Sequence, residues 1–167
     1  RLGILGLGRL GEMVSKYGLA FGMKVSAWDP VREGWVTNVQ HCESLEELLK
    51  ASDVLSIHLP LEKETYHLIG EKEFRLLADK PVLINTSRGN IVDSDALINA
   101  LLNGRLSGAA LDVIPGEFGV SCEQRQRLLN YAKKNTNLII TPHIAGATVE
   151  SMAKTEIFMA EKLYNWT

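Results

Sequence analysis

Chemistry in this chain could reside in five places: the glycines of Gly6-Leu7-Gly8-Arg9-Leu10-Gly11, then Asp29, Arg88, Glu117 and His143. The glycines have G-x-G-x-x-G spacing directly after a short apolar run, where a strand turns into a helix beneath a diphosphate. Gly6 permits the tight turn, Gly8 lets backbone approach a pyrophosphate, and Gly11 lets the helix lie close to the strand. The unpaired N–H groups and positive dipole end of that helix suit an anion, and no acidic residue stands inside the motif. A Gly-rich strand-to-helix corner without a ligand is the competing interpretation of the motif alone. Asp29 follows Gly11 by 18 residues (29 − 11) and ends the next strand-like run. A carboxylate there accepts hydrogen bonds from adenosine ribose hydroxyls and repels a 2′-phosphate, which favours NAD over NADP. Arg32 is the one nearby arginine that could offset this repulsion. Asp29-Pro30 could also be a plain turn starter.

The remaining three residues each follow an apolar run predicted to be a strand. An Arg, a Glu and a His converging beside a nicotinamide would suit reduction of a 2-keto acid. Arg88 can fork the substrate carboxylate and polarise its carbonyl. His143 can supply the proton that the new alkoxide needs. Glu117, bonded to the far ring nitrogen, would orient the imidazole and stabilise its charged form. Taken singly, Arg88 could be a surface charge, Glu117 a solvated turn carboxylate, and His143 the cap of the following helix. His41 and His67 read as exposed, and His58 as a hydrogen-bonded residue at a strand end.

Elements able to position these groups alternate along the chain. Strands are predicted from residue 2, at 24–28, 54–59, 81–86, 106–113 and 138–141, and helices at 10–21, 44–50, 71–78, 93–103, 123–134 and 150–166. Ser44 and Glu47 have capping-box spacing. In the first helix Leu10, Met13, Val14, Tyr17 and Phe21 share a face, predicted to lie on the sheet. Such alternation predicts an α/β Rossmann fold: a doubly wound parallel sheet with helices on both faces, in three αβα layers. Ligands of that fold sit outside the carboxyl ends of the strands.

Composition agrees. The 167 residues suit one domain, 1–167, and 46% hydrophobic with 23% charged residues is a globular balance. A net charge of −2 provides no basic footprint for nucleic acid, and no apolar run is long enough to span a membrane. Two cysteines, Cys42 and Cys122, lack metal-site or disulfide-framework spacing, so no metal is expected and a cytoplasmic setting fits best. Both ends look cut, because the chain opens on Arg1 just before a core strand and stops within a helical pattern.

Six ordered motifs carry a resemblance over nearly the whole chain: the glycine motif, Asp29-Pro30, His58-Leu59-Pro60-Leu61, Asn85-Thr86-Ser87-Arg88-Gly89, Gly108-Ala109-Ala110-Leu111-Asp112-Val113 and Thr141-Pro142-His143-Ile144-Ala145-Gly146. Together they resemble the nucleotide-binding domain of the D-isomer-specific 2-hydroxyacid dehydrogenases, phosphoglycerate dehydrogenase-like. The resemblance implies Arg88, Glu117 and His143 as catalytic residues. It implies NAD contacts from Gly6, Gly8, Arg9, Leu10, Gly11, Asp29, Leu59, Pro60, Thr86, Ser87, Arg88, Asp112, His143 and Gly146, with Asp112 near the nicotinamide carboxamide. It further implies a small 2-keto or 2-hydroxy acid substrate, a homodimer, and a separate substrate domain that this sequence does not contain. A relative that acts as an NAD(H)-sensing corepressor supplies an alternative, a binding module of the same fold. Two features depart from the family pattern. Phe118 replaces the usual proline after the glutamate, and the segment from Glu117 to His143 is longer, with the extra helix at 123–134.

Overall fold

The first strand, β1 (Leu2–Leu5), is fully buried and pairs in parallel with β2 (Val25–Trp28) on one side and β4 (Val54–Ile57) on the other. The computed structural model describes residues 1–34, 36–117 and 122–166. The sheet continues through β3 (Val39–His41), β5 (Val82–Asn85), β6 (Gly108–Leu111) and β7 (Leu138–Ile140). Its seven strands run in the order β3-β2-β1-β4-β5-β6-β7, every pair parallel. The order reverses between β1 and β4, which opens a crevice at their carboxyl ends.

Side-chain alternation along β1 assigns the helices to faces. Ile4 lies beneath α1 (Arg9–Ala20), where an added Gly11 Cβ would sit 3.1 Å from Ile4 Cγ2. Gly3 lies on the opposite side against α2 (Leu45–Ala51), with a notional Cβ 3.3 Å from Leu48 Cδ1. Two apolar clusters result: one under α1 around Leu2, Ile4, Leu7 and Val25, the other under α2 through α5 around Leu5, Leu55, Ile57 and Leu83. Helices α3 (Glu71–Leu76), α4 (Ser94–Leu102) and α5 (Glu123–Ala132) continue this second layer, each packed against its predecessor. The doubly wound α/β architecture is therefore the one expected.

Three local expectations are corrected. The first helix does not bury its large apolar residues. It packs through Gly11, Ser15 and Gly18, leaving Leu10, Met13, Tyr17 and Phe21 exposed and Val14 half-buried. Close approach is the reason: a Gly18 Cβ would stand 2.6 Å from Leu2 Cδ2, so only small residues fit against the strand. Strand β3 was not anticipated, since only Val39 of its three residues is buried and no alternation marks it. His67 is not an ordinary exposed residue; its ring stacks on Tyr66 at 4.0 Å and its buried Nε2 has no hydrogen-bond partner.

Caps are partly as expected. Ser44 Oγ accepts from Glu47 N at 3.1 Å, but the Glu47 carboxylate takes Glu43 N instead of closing the box on Ser44. Helix α6 (Val149–Tyr164) is capped by Thr148, whose side chain accepts from Ser151 N, so His143 does not cap it. No residue of α6 is buried. No described helix is long and apolar enough to cross a membrane.

Candidate active site

The glycine turn leaves β1 with Gly6 at φ +92°, a conformation that an L side chain rarely adopts. A Cβ on Gly6 would lie 2.8 Å from Leu59 Cδ2, and one on Gly11 would lie 2.1 Å from Gly6 O. Gly8 behaves differently. It is the N-cap of α1, offers no side-chain cap, and a Cβ there would point into open space. Backbone at the start of α1 can therefore be approached closely over Gly8, as a diphosphate on the first-turn N–H groups needs.

Asp29 secures the far side of that turn. Its Oδ2 accepts from Leu7 N at 2.8 Å and its Oδ1 from Val31 N at 3.1 Å. A carboxylate has about four acceptor positions, so acceptor capacity remains for ribose hydroxyls. The turn, the helix start and this carboxylate together fit a dinucleotide. Leu59 is buried against Gly6, whereas Pro60, Arg9 and Leu10 are exposed around the crevice.

Glu117 and His143 meet at the carboxyl ends of β6 and β7. His143 Nδ1 donates to Glu117 Oε2 at 2.5 Å, and the second carboxylate oxygen accepts from Ile114 N. Glu117 is the more enclosed partner, with its side chain 17% exposed against 36% for His143. Both line a cleft of about 440 Å³ with Ile114, Arg125, Leu129, Ile140, Thr141 and Pro142. His143 occupies a left-handed backbone conformation, φ +55°, unusual for a non-glycine residue.

Asp112 builds that turn. Its Oδ1 accepts from Thr141 Oγ1 at 2.5 Å and Ile144 N at 3.0 Å, and its Oδ2 accepts from Ala145 N at 2.9 Å. Burial by itself pushes the Asp112 carboxyl up. The Thr141, Ala145 and Ile144 bonds and the nearby His143 outweigh it, leaving the carboxyl below its ordinary range. Its oxygens thus hold the His143 turn, a structural duty beyond the cofactor contact expected for it. Gly146, just beyond, is exposed.

Arg88 leaves from β5, next to β6. Asn85, 1% exposed, folds this exit: its side chain accepts from Ser87 N and Ser87 Oγ and donates to Arg88 O. Gly89 then abuts Ile114, the residue whose N–H holds Glu117, with a notional Cβ only 2.3 Å from Ile114 C. The Arg88 side chain is exposed and donates to Ser87 O at 2.7 Å, without a hydrogen bond to Glu117 or His143. Thr86 beside it is exposed too. Residues 1–145 match the D-isomer specific 2-hydroxyacid dehydrogenase, NAD binding domain family.

The chain belongs to that family. It is 42% identical over 164 residues to a glyoxylate reductase of Aeropyrum pernix, covering 97% of this chain and 47% of the relative. The D-lactate dehydrogenase of Aquifex aeolicus, solved with NAD and lactic acid, superposes with a TM-score of 0.86 at 40% identity, covering 99% of this chain and 52% of that one. The NAD-complexed D-isomer specific 2-hydroxyacid dehydrogenase of Lactobacillus delbrueckii ssp. bulgaricus gives 0.85 at 32% identity, with 97% and 52% covered. The chain spans about half the length of the curated relatives it matches. As the NAD-binding domain of 2-hydroxyacid dehydrogenases it has NAD as its cofactor. The corepressor alternative draws no support from these relatives.

Sequence reading missed three contributors. Asn85 folds the Arg88 turn, and Arg125 donates to Gly116 O at 2.8 Å beside Glu117. Glu12, directly after the glycine motif, holds Lys16 at 2.8 Å and Arg32 at 3.1 Å. Arg125 reaches Gly116 and Glu12 reaches Arg32 across irregular spacings that no local pattern flags, whereas the Asn85 turn and the Glu12–Lys16 pair at i, i+4 are local and could have been read. The Phe118 departure lies outside the described residues. Among the described residues no group of three His, Cys, Asp or Glu is placed to hold a metal.

Proposed function

We propose that this chain is the NAD-binding part of a dehydrogenase that interconverts a 2-keto acid and a D-2-hydroxy acid. The observation that carries this is the Glu117–His143 bond at the carboxyl edge of the sheet whose glycine turn fits a dinucleotide. Gly6, Gly8, Arg9, Leu10, Gly11, Asp29, Leu59, Pro60, Thr86, Ser87, Asp112 and Gly146 would hold the cofactor, which supplies or takes the hydride when bound.

Each catalytic side chain has a separate task. Arg88, exposed at its strand end and without a carboxylate partner among the described residues, forks the substrate carboxylate. His143 delivers a proton from Nε2 to the substrate oxygen during reduction and recovers one there during oxidation. Glu117 accepts from Nδ1, which orients the ring, leaves proton transfer to Nε2 and would balance the imidazolium when it forms. Arg125 fixes the Gly116 carbonyl and with it the loop carrying Glu117.

The same reading includes residues 1–167 as one domain, a substrate domain outside this sequence, a cytoplasmic location and a homodimer. The apolar residues that α1 leaves exposed support association. Sedimentation at micromolar concentration tests the dimer. Consumption of NADH with a panel of glyoxylate, pyruvate and branched 2-keto acids, using the protein together with its substrate domain, tests the activity. No turnover with any 2-keto acid would remove the enzymatic reading.

A further inference from the structure

Arg32 lies in the turn after Asp29, yet its guanidinium points back to the glycine motif. Nε donates to Gly34 O at 2.8 Å, Nη1 donates to Leu7 O, and Nη2 pairs with Glu12 Oε2 at 3.1 Å. Leu7 is held from both sides, because its N–H donates to Asp29 at 2.8 Å while its carbonyl accepts from Arg32. The arginine therefore sits within one peptide unit of the carboxylate that would receive the adenosine ribose. It is largely covered, 22% exposed at its side chain.

We infer that Glu12 is a cofactor-discriminating residue: it ties Arg32 to α1 and keeps that guanidinium from a 2′-phosphate, so the site favours NADH. The inference rests on the reading of this turn as a dinucleotide cradle. Without Glu12 the local charge near the ribose edge changes in two ways. One carboxylate is lost from the Arg32 ion pair, and the guanidinium, left on the Gly34 and Leu7 carbonyls alone, gains an uncompensated positive charge. A phosphate monoester is a bidentate partner for a guanidinium, so an arginine no longer neutralised by Glu12 attracts the 2′-phosphate and offsets its repulsion by Asp29. Lys16 does not do the same. It is held four residues along α1 from Glu12, on an exposed turn, and not through the Asp29 loop.

Fluorescence titration of the protein with NADH and NADPH, in wild type, Glu12→Gln, Arg32→Met and the double variant, tests this. Glu12→Gln is expected to raise NADPH affinity about tenfold while changing NADH affinity less than about twofold, shifting the ratio toward NADPH. The double variant is expected to lose that gain, which separates release of Arg32 from simple removal of a negative charge. An unchanged ratio in Glu12→Gln with NADH still bound, or a gain that persists in the double variant, overturns the role of Glu12. Failure of wild type to bind either nucleotide overturns the cradle itself, and with it this inference.

Discussion

At the scale of single residues, the decisive feature is that two buried or half-buried carboxylates bracket one imidazole from different distances. Glu117 touches the ring, while Asp112 holds the backbone on which the ring is carried. Substitution of the two should therefore fail differently. His143→Ala is expected to reduce turnover by about 10²- to 10⁴-fold with NADH affinity kept within about twofold, since its proposed task is proton transfer. Glu117→Gln keeps the shape and a hydrogen bond but removes the charge, and should cost about tenfold or more in kcat. Steady-state kinetics and NADH titration check both, and an NADH affinity that falls with His143→Ala would contradict the assignment. Asp112→Ala should instead destabilise the fold by about 2 kcal/mol, because Thr141, Ile144 and Ala145 lose a buried charged acceptor. The sign of its pH dependence follows from the lowered carboxyl. A folded value below the unfolded value, about 3.9, contributes stability that is present above it and lost as the pH falls through the folded value. The gap between wild type and Asp112→Ala in thermal melts should be widest near neutrality and narrow in acid below about pH 4.

At the scale of elements, the glycine turn separates folding from binding. A Gly11 Cβ would stand 2.1 Å from Gly6 O, so Gly11→Ala must push α1 off β1. An overpacked contact of this kind costs about 1–3 kcal/mol, and NADH affinity should fall with it. Gly8→Ala meets no protein atom, so its melting temperature should stay close to wild type while NADH affinity drops because the methyl fills the phosphate approach. Equal NADH binding by Gly8→Ala would show that the diphosphate does not lie over Gly8. These glycines were readable from sequence because their spacing is local. The packing face of α1 was not, because its hydrophobic spacing points outward and the buried face is made of Gly11, Ser15 and Gly18. Periodicity reports where large apolar residues lie. It does not report that a strand requires small ones. Strand β3 escaped for a related reason, since an edge strand with one buried residue has no pattern to read. The Glu117–His143 pairing was anticipated from positions at strand ends, whereas Arg125 acts through a backbone carbonyl that residue type does not announce.

At the scale of the whole molecule, the sheet places the site on an open edge. His143 is 36% exposed, Arg88 is exposed, and the Glu117–His143 cleft is only about 440 Å³. On the proposed reading, cofactor binding needs the glycine turn and Asp29, all within this chain. The proposed reduction of a keto acid would also need water kept away from the proton donor and the carboxylate held against Arg88, and misplacement by about 1 Å can cost roughly a hundredfold. The chain spans about half the length of its curated relatives, and Thr86, Arg88, Thr141 and Gly146 along this edge are exposed. The 167-residue chain alone is accordingly expected to bind NADH, with weaker binding of NADPH because Asp29 faces the extra phosphate. It is expected to turn over 2-keto acids at least about a hundredfold more slowly than when a substrate domain closes the cleft. Fluorescence titration checks the first part and NADH consumption the second. Rapid turnover by this chain alone would mean that the open Arg88, Glu117 and His143 edge is sufficient, and that exclusion of water contributes little here.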